Sequence, residues 1–222
     1  MFGRIARRYD RANRVLSFGV DKAWRKRAVR MTNLQPAGRV LDAACGTGDL
    51  SFALERAVGP EGTVTGVDFT PRMVELAQAK AIKRGSVATF EEGDVMALRH
   101  ERDAFDAATI SFGIRNVDDP AKGIAELARV VRPGGRVVVL EFGQPKGVWG
   151  GMYRTYSKHI MPRIGGLLTG DRAAYEYLPE TAARFPAGSD FVEIMADAAP
   201  FTEIQAVPLS GKIAWIYAGV VK

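Results

Sequence analysis

The sequence predicts an α/β fold built on a seven-stranded, mostly parallel β-sheet whose last strand is antiparallel. From Arg39 onward, short β-rich runs alternate with helical stretches in units of about 25 residues, a rhythm typical of parallel strands joined by right-handed crossovers. This rhythm breaks after Phe142, which predicts a helical insertion after the fifth strand. A Ser210-Gly211 turn then separates the last two β-rich runs and predicts a hairpin.

Five strands and three helices are predicted before the insertion. Pro71 and Pro120 each mark a helix start, where the missing N–H of proline costs nothing. Gly59, Gly85 and Gly134 lie in the turns that end these helices. The predicted strands are 38–42, 63–68, 87–91, 105–111 and 136–141, and the predicted helices are 50–58, 71–84 and 120–132.

The insertion is predicted at residues 143–188, which contain no clear strand but hold six Trp, Tyr and Phe residues. We interpret it as a helical lid over a substrate site. The remaining elements are a helix at 190–199 and strands at 201–207 and 212–221. Residues 1–222 are therefore predicted to form a single domain, with a basic helical arm at residues 1–30.

Positive charge is concentrated in that arm. The first 30 residues carry ten Lys or Arg against two Asp, whereas the other 192 residues sum to a net charge of −2. Such an arm predicts contact with an anionic surface: lipid headgroups, nucleic acid or substrate phosphates. A solvated helix face would explain the same charges. So would a mitochondrial targeting peptide, although the arm lacks the Ser content usual in one.

The remaining bulk features indicate a globular protein of the reducing cytosol. The composition is 47% hydrophobic and 25% charged, and no apolar run reaches the roughly 18 residues of a membrane span. No secretory signal is found. Cys45 is the only cysteine, which excludes an internal disulfide, and its simplest role is that of a small buried side chain. No cluster of metal-ligating residues is recognised, so no metal is expected.

A glycine-containing loop follows the first predicted strand. Gly46 and Gly48 let the backbone approach a ligand where a Cβ would clash. Asp68 lies 20 residues beyond Gly48, at the end of the second strand, where a carboxylate can accept both hydroxyls of a ribose. The loop therefore predicts a nucleoside site, although a tight turn with Asp68 as a helix N-cap would also explain the glycines.

Charges in the loop favour S-adenosylmethionine over a dinucleotide. A dinucleotide site uses three glycines and a helix N-terminus that faces the pyrophosphate. Here Ser51 replaces the third glycine, and Asp49 puts negative charge at the helix start. Together with Asp42, this acid suits the ammonium and sulfonium groups of S-adenosylmethionine. After the third strand, the side chain of Asp94 can accept from the adenine amino group and the N–H of Val95 can donate to a ring nitrogen.

Longer motifs resemble one family. Residues 40–141 are similar to class I S-adenosylmethionine-dependent methyltransferases, which have a Rossmann-like sheet. Residues 2–24, 109–117 (with SFGIRN), 140–142 and 156–165 (YSKHIMPRIG) resemble the ubiquinone and menaquinone biosynthesis C-methyltransferases. This resemblance covers nearly the whole chain. It implies methylation of a prenylated quinol, demethylmenaquinol or the corresponding benzoquinol.

The resemblance also implies cofactor contacts, and two segments depart from the family pattern. Residues 99–102 replace a Pro-containing surface turn, and residues 213–219 lack the usual His-Arg-Gly ending, which leaves the choice between naphthoquinol and benzoquinol open. The contacts that the resemblance implies are Thr47, Asp68, Asp94, Val95 and Ser111. With the loop residues, the predicted cofactor-binding set is Asp42, Gly46, Thr47, Gly48, Asp68, Asp94, Val95 and Ser111.

The chemistry of a quinol acceptor indicates catalytic candidates. Methyl transfer from a sulfonium is an in-line displacement that requires mainly proximity and alignment. The ring carbon becomes nucleophilic when its neighbouring hydroxyl ionises, and the pKa of a free phenol is about 10. Arg115, assisted by Asn116, is placed to stabilise the phenolate, while the proton leaves through water, His159, Asp171 or Tyr175. The alternatives are structural: a salt bridge from Arg115 to Asp118 or Glu141, and a structural role for His159.

A prenyl tail would give the basic arm a partner. Because the substrate would lie in a membrane, and each Lys or Arg near anionic lipid contributes about 1 kcal/mol, we expect a cytoplasmic protein that docks peripherally. No RNA-binding module is recognised, so nucleic acid is not an expected partner. The oligomeric state is open, a homodimer included. Apolar residues of the insertion, at least half of them expected in the core, could line a groove for the tail: Met152, Ile160, Met161, Ile164, Leu167 and Leu168.

Overall fold

The computed structural model describes residues 14–170 and 172–222. The first 13 residues of the predicted arm, and Asp171, therefore lie outside the described residues. No helix within the described ranges is both long and apolar enough to span a bilayer.

Seven strands and eight helices are described, and they follow the predicted order. The strands are β1 Arg39–Ala43, β2 Thr63–Asp68, β3 Thr89–Glu92, β4 Phe105–Ser111, β5 Val131–Phe142, β6 Phe201–Leu209 and β7 Ala214–Val221. The helices are α1 Val20–Met31, α2 Ser51–Val58, α3 Pro71–Arg84, α4 Pro120–Val130, α5 Gly147–Thr155, α6 Met161–Thr169, α7 Arg172–Arg184 and α8 Ser189–Ala198.

The strands form one sheet in the order β3-β2-β1-β4-β5-β7-β6. Strands β1 to β5 are parallel, because each crossover returns the chain to the same edge, and β7 is antiparallel to both of its neighbours. This confirms the predicted sheet and its antiparallel last strand. The strand order reverses between β1 and β4, and the crevice at the carboxyl ends of strands at such a point is where open α/β sheets bind ligands.

The predicted helix end and strand start around Pro133-Gly134-Gly135 differ from those in the structure. Helix α4 ends at Val130, two residues earlier than predicted, and β5 already begins at Val131. Val131 pairs with Phe105, and a register shift then restores regular pairing at Arg136. The Pro-Gly-Gly segment is therefore an irregularity inside a strand rather than a turn after a helix, and Gly134 has the positive φ of 77° that such a bend requires.

Helices cover both faces of the sheet. The core of one face contains residues of α4 and α8, and the core of the other contains residues of α2 and α3. Helix α1 packs with Trp24 and Ala28 against β5 and β7. The insertion after β5 is helical, as predicted: α5, a π-helical turn at Tyr156–Ile160, α6 and α7. The insertion and α1 therefore stand at the same edge of the sheet as the carboxyl ends of the strands.

Candidate active site

A cavity of about 1080 Å³ opens at the carboxyl ends of β1, β2 and β4. The glycine loop, the segment after β3 and the end of β4 line one part of it, and α1 and the insertion line another. The first part is rich in carboxylates, whereas the second is mainly aromatic and aliphatic. A cavity with one polar and one apolar part suits two ligands of different chemistry.

Gly46 and Gly48 of the loop differ in what surrounds them. Both have positive φ, 55° at Gly46 and 84° at Gly48. Apart from its chain neighbours, no described residue has an atom within 4 Å of the place that a Cβ would take at Gly46, whereas a Cβ at Gly48 would lie 2.9 Å from Phe90 Cζ and 3.0 Å from Phe52 Cε2. Gly46 lines the cavity, and core packing explains Gly48.

Asp68 lies at the end of β2 and is held by the loop. Its Oδ2 accepts the backbone N–H of Gly46 at 2.8 Å, and its Oδ1 accepts that of Thr70 at 2.9 Å. Burial raises the pKa of Asp68, and these two hydrogen bonds oppose the rise. The helix N-cap of α3 is Thr70, not Asp68. The carboxylate is thus fixed in orientation at the cavity wall, where it can accept hydroxyl groups of a ligand.

Asp42 is held by two hydroxyl groups in the core behind the loop. Ser51 Oγ donates to its Oδ2 at 2.5 Å, and Thr109 Oγ1 donates to its Oδ1 at 2.8 Å. Burial raises the pKa of Asp42 to about 6, against the effect of these hydrogen bonds and the charge of Arg25. Asp42 also contributes to the cavity wall, where a cationic ligand would favour its ionised form.

The carboxylate of Asp49 is paired with a lysine, so it attracts a cationic ligand less strongly than the sequence alone indicates. Lys80 Nζ lies 2.6 Å from Asp49 Oδ1 and also donates to the hydroxyl of Thr47 at 3.2 Å. Burial opposes ionisation of Asp49, but the hydrogen bond and charge of Lys80 outweigh it and lower the pKa of Asp49. Lys80 therefore neutralises much of the charge of Asp49, and Asp42 is the stronger candidate for attracting a cationic ligand.

The predicted adenine contacts lie together on the cavity wall. The Oδ1 atom of Asp94 accepts the N–H of Met96 at 2.8 Å, which leaves its other oxygen available, and Val95 is adjacent and buried. At the end of β4, Ser111 Oγ is buried and has no hydrogen-bond partner among the described residues. Because a buried hydroxyl without a partner is costly, Ser111 indicates a ligand that supplies one.

Arg115 forms a buried ion pair, one of the alternatives that the sequence left open. Its Nη1 lies 2.8 Å from Glu141 Oε1 and also donates to the carbonyl of Phe112 at 2.6 Å. The side chains of Arg115 and Glu141 are only 2% and 0% exposed. The guanidinium nevertheless lines the cavity, lies over the ring of Phe142, and has a buried Nε without a partner in the described part of the chain.

Asn116 and two tyrosines surround the centre of the cavity. Tyr177 donates its hydroxyl hydrogen to Asn116 Oδ1 at 3.3 Å. Burial raises the pKa of Tyr153 to about 12, against the charge of Arg115. Tyr153 therefore keeps its proton at neutral pH, which makes it a donor rather than a base. Sequence reasoning did not select Tyr153, because an aromatic residue in a helical lid is equally typical of core packing.

The apolar part of the cavity receives only some of the predicted tail-binding residues. Met152 and Met161 line it, together with Phe112, Phe142 and Ile213. The other predicted side chains lie elsewhere: Ile164 and Leu168 pack beside Leu16 and Tyr175, while Ile160 and Leu167 are exposed.

Among the described residues, three of the predicted site residues lie outside the cavity lining. Gly48 packs against Phe90, His159 is exposed in the π-helical turn, and Tyr175 is buried against α6. Asp171 is outside the described residues. The structure brings the other predicted residues together at the cavity: Asp42, Gly46, Thr47, Asp68, Asp94, Val95, Ser111, Arg115 and Asn116.

Helix α1 supplies cavity residues that sequence reasoning missed. Asp21, Trp24 and Arg25 lie on one helix face and line the cavity. Arg25 forms an ion pair with Asp21, and its charge acts on the carboxylates of Asp42 and Asp49. Trp24 Nε1 donates to Ser210 Oγ at 3.1 Å, which ties α1 to the turn between β6 and β7. The available signal was the i, i+3, i+4 spacing of these three residues within a basic helix.

The polar part of the cavity fits S-adenosylmethionine. It offers a fixed carboxylate for a ribose at Asp68 and, as far as the described residues go, a free oxygen at Asp94, an unsatisfied hydroxyl at Ser111 and open space at Gly46. The ionised form of Asp42 suits the positive charges of the methionine portion. Cys45 is a poor nucleophile, because burial, together with the charges of Asp42 and Asp68, raises the pKa of its thiol well above the usual value.

Comparison with known proteins places the whole chain in one group. The sequence profile of the ubiE/COQ5 methyltransferase family matches residues 1–221. The chain is 46% identical to the ubiquinone/menaquinone biosynthesis C-methyltransferase UbiE of Bdellovibrio bacteriovorus, over 100% of this chain and 94% of that protein. It is 50% identical to the demethylmenaquinone methyltransferase of Thermus thermophilus, over 89% and 90% of the two chains.

The fold is also that of solved methyltransferases. A SAM-dependent methyltransferase from Aquifex aeolicus superimposes with a TM-score of 0.66 at 20% identity, over 89% of each chain. At that identity the likeness concerns the fold alone, a Rossmann-like sheet covered by helices.

Proposed function

Because the chain belongs to the ubiE/COQ5 methyltransferase family, we propose that it transfers the methyl group of S-adenosylmethionine to a ring carbon of a prenylated quinol. Demethylmenaquinol and the corresponding benzoquinol of ubiquinone biosynthesis are the two candidate acceptors, as the names of its relatives suggest. The proposal rests on the cavity, whose lining combines carboxylates with aromatic and aliphatic side chains and includes Arg115 and Asn116.

The residues of the polar part hold the cofactor. S-adenosylmethionine supplies a methyl group on a positively charged sulfur, which a carbon nucleophile can take by in-line displacement. Asp68 accepts the ribose hydroxyls, and Asp94 and the N–H of Val95 pair with the adenine. Thr47 and Ser111 add hydroxyl contacts, and Gly46 leaves room for the ligand beside the loop. Their common task is orientation, which lowers the barrier of an in-line displacement.

Arg115 and Asn116 act on the quinol oxygen. A ring carbon is a good nucleophile only when the adjacent hydroxyl has lost its proton, so a donor beside that oxygen lowers the barrier. Arg115 remains charged at any working pH and has an Nε that no described group uses. Its ion pair with Glu141 fixes the guanidinium in place. The proton leaves through water or Asp171, since Tyr153 holds its own proton and, in the described chain, His159 and Tyr175 lie outside the cavity lining.

The apolar part holds the ring and the first units of the tail. The rings of Phe112 and Phe142 pack at a tilt of 36° with their centroids 4.5 Å apart. Met152 and Met161 extend the apolar wall into the insertion. These side chains exclude water around the phenolate, which strengthens its interaction with Arg115.

Methyl-labelled S-adenosylmethionine tests the proposed reaction. The full chain is incubated with either reduced demethylated naphthoquinol or the benzoquinol, and the C-methylated lipid is identified by mass spectrometry. We expect the label on a ring carbon of at least one acceptor. The Asp68→Asn variant is the control, since it should bind the cofactor poorly. Cofactor binding without labelling of either quinol would contradict the acceptor while sparing the cofactor site.

The basic arm docks the enzyme on anionic membranes in this proposal. Residues 1–13 carry four Arg against one Asp, and Lys22 and Lys26 of α1 are exposed. We expect a chain lacking residues 1–13 to co-sediment less with vesicles that contain phosphatidylglycerol, because each lost cation near the surface weakens binding about fivefold. Equal co-sedimentation of the two chains would contradict a role of these residues in docking.

A further inference from the structure

Exposed apolar side chains are concentrated in two short segments of the described chain, residues 14–31 and 143–170. Eight of the twelve large apolar side chains that are exposed among the described residues belong to these segments. The eight are Val15, Phe18, Val20, Val148, Trp149, Met152, Ile160 and Leu167. Single exposed apolar residues need no explanation, but a concentration of them marks an interaction surface.

The two segments meet at the mouth of the cavity. The rings of Phe18 and Tyr156 lie 6.1 Å apart, and the Tyr156 hydroxyl donates to the carbonyl of Leu16 at 2.8 Å. Four of the eight side chains also line the cavity, and we call them the cavity rim: Phe18, Val20, Trp149 and Met152. The cavity is therefore surrounded at its mouth by apolar groups that the described protein leaves in water.

Positive charge surrounds the cavity rim. Residues 143–170 carry four Lys or Arg and no Asp or Glu, and residues 14–31 carry six Lys or Arg and one acid, Asp21. Asp21 is buried and paired with Arg25, so it adds no negative charge to the surface. Exposed lysines lie in both segments: Lys22, Lys26, Lys146 and Lys158. Apolar groups flanked by cations are typical of a surface that enters an anionic lipid bilayer.

We propose that the cavity rim and its flanking lysines insert into an anionic phospholipid bilayer, so that the cavity opens directly to the acyl chains. The prenyl tail then remains in the bilayer while the quinol ring enters the cavity between α1 and the insertion. This inference rests on the proposed function, because a substrate with a long apolar tail is what makes such an opening useful. It differs from docking by the arm alone, which would hold the protein at the headgroups.

Charge complementarity favours lipid over a second copy of the chain. In a two-fold symmetric dimer the same patch meets itself. The two segments would then bring their lysines and arginines together without acids to neutralise them, which disfavours the contact. An anionic bilayer neutralises these cations and covers Val148, Trp149 and Met152 at the same time.

A pair of matched charge insertions tests the inference. Val148→Glu places an acid beside the cavity rim at a side chain that is 85% exposed and does not line the cavity. Ile82→Glu is the control: this side chain is 83% exposed in the last turn of α3, at the opposite edge of the sheet. With vesicles of phosphatidylcholine and phosphatidylglycerol, we expect Val148→Glu to weaken co-sedimentation about tenfold, since it removes an apolar contact and adds repulsion, and Ile82→Glu to change it less than about twofold.

Insertion depth gives a second measurement. Lipids with brominated acyl chains should quench the tryptophan fluorescence of the wild-type chain, and Trp149→Phe should lose most of that quenching. The other two tryptophans should contribute less, because Trp24 is buried and Trp215 is only partly exposed. Equal vesicle binding by Val148→Glu and Ile82→Glu would overturn the inference, and so would unchanged quenching in Trp149→Phe. Loss of a wild-type dimer in Val148→Glu, detected by light scattering, would assign the surface to a second copy.

The proposed function can fail separately from this inference. Without vesicles, a quinol analogue with a short, soluble tail should be methylated at the same rate by Val148→Glu and the wild-type chain. If the wild-type chain binds vesicles as expected but methylates no quinol, the proposed function fails and bilayer insertion stands. If both chains methylate the analogue but bind vesicles equally, bilayer insertion fails alone.

Discussion

Replacing Glu141 with Gln should destabilise the protein strongly, because it leaves the Arg115 guanidinium buried beside a neutral partner. The two side chains are almost completely inaccessible, and the carboxylate also accepts the backbone N–H of Phe142 at 2.8 Å. Removing one partner of a buried ion pair costs about 3 to 5 kcal/mol. Gln keeps one acceptor oxygen, so we expect a loss near the lower end, about 3 kcal/mol. For a domain of this size that lowers Tm by about 6 to 12 °C.

Urea denaturation followed by circular dichroism measures this loss, and an exposed ion pair supplies the control. Arg184 and Glu180 are separated by 2.7 Å with side chains 79% and 58% exposed, so Glu180→Gln should change the free energy of unfolding by less than about 1 kcal/mol. If Glu141→Gln costs no more than Glu180→Gln, the reasoning from burial is refuted.

A double variant separates the structural role of Arg115 from its proposed catalytic role. Arg115→Met with Glu141→Leu removes both charges, and such replacements are often neutral in stability. We expect the double variant to recover at least half of the unfolding free energy that Glu141→Gln loses. It should not recover all of it, because the Phe112 carbonyl also loses its donor. The refolded double variant should still methylate the quinol at least about a hundredfold more slowly, as expected when a group that stabilises a developing oxyanion is removed. Turnover at the wild-type rate would refute the action of Arg115 on the substrate oxygen.

Three further outcomes follow from the loop and the carboxylates. The pKa of Asp42 is about 6 in the folded protein against an ordinary 3.8, so the folded state binds more protons than the unfolded state between these pH values. The free energy of unfolding should therefore fall by up to about 3 kcal/mol as pH rises from about 4 to 6, and Asp42→Asn should remove this pH dependence in urea titrations. Gly48→Ala should lower the free energy of unfolding by about 2 kcal/mol or more, because the new Cβ would have a positive φ and would contact Phe90. Gly46→Ala should weaken cofactor binding more than it lowers stability, and calorimetry of both variants distinguishes the two effects. Asp68→Asn should raise the Kd for S-adenosylmethionine by about 10- to 100-fold. It should also lower Tm, because one of the backbone N–H groups of Gly46 and Thr70 loses its acceptor, and unchanged affinity would remove Asp68 from the cofactor site.

Much of the fold could be predicted because its strands are apolar runs bounded by Gly and Pro. The predicted bounds of β2, β4 and α3 agree with the structure to the residue. The predicted boundary between α4 and β5 failed, since Pro133-Gly134-Gly135 is a turn signal whether it ends a helix or interrupts a strand. Only the pairing of Val131 with Phe105 decides between these, and that contact is set by the sheet rather than by the local sequence.

The candidate site was predictable where it depends on topology. Asp68 ends β2 and Asp94 follows β3, and the carboxyl ends of these neighbouring parallel strands meet at one edge, so their proximity follows from the topology. Ser111, at the end of β4, was implied only by the resemblance to the family. Side-chain direction within the insertion does not follow in this way, and His159 and Tyr175 therefore lie away from the cavity. The same limit applies to Gly48, because a positive φ beside a phenylalanine and a positive φ beside a ligand both select glycine.

Helix α1 connects the two parts of the cavity, which changes the interpretation of the basic arm. Arg25 is turned inward, paired with Asp21 and close enough to Asp42 to affect its pKa, so it belongs to the polar part of the cavity rather than to the surface. The exposed Lys22 and Lys26 remain for an anionic membrane. The net charge of the arm therefore overstates the charge available for docking, because part of it balances carboxylates in the active site. If the proposed bilayer contact holds, a single helix supplies cations to both the candidate cofactor site and the membrane surface, and the hydrogen bond from Trp24 to Ser210 ties that helix to the turn between β6 and β7.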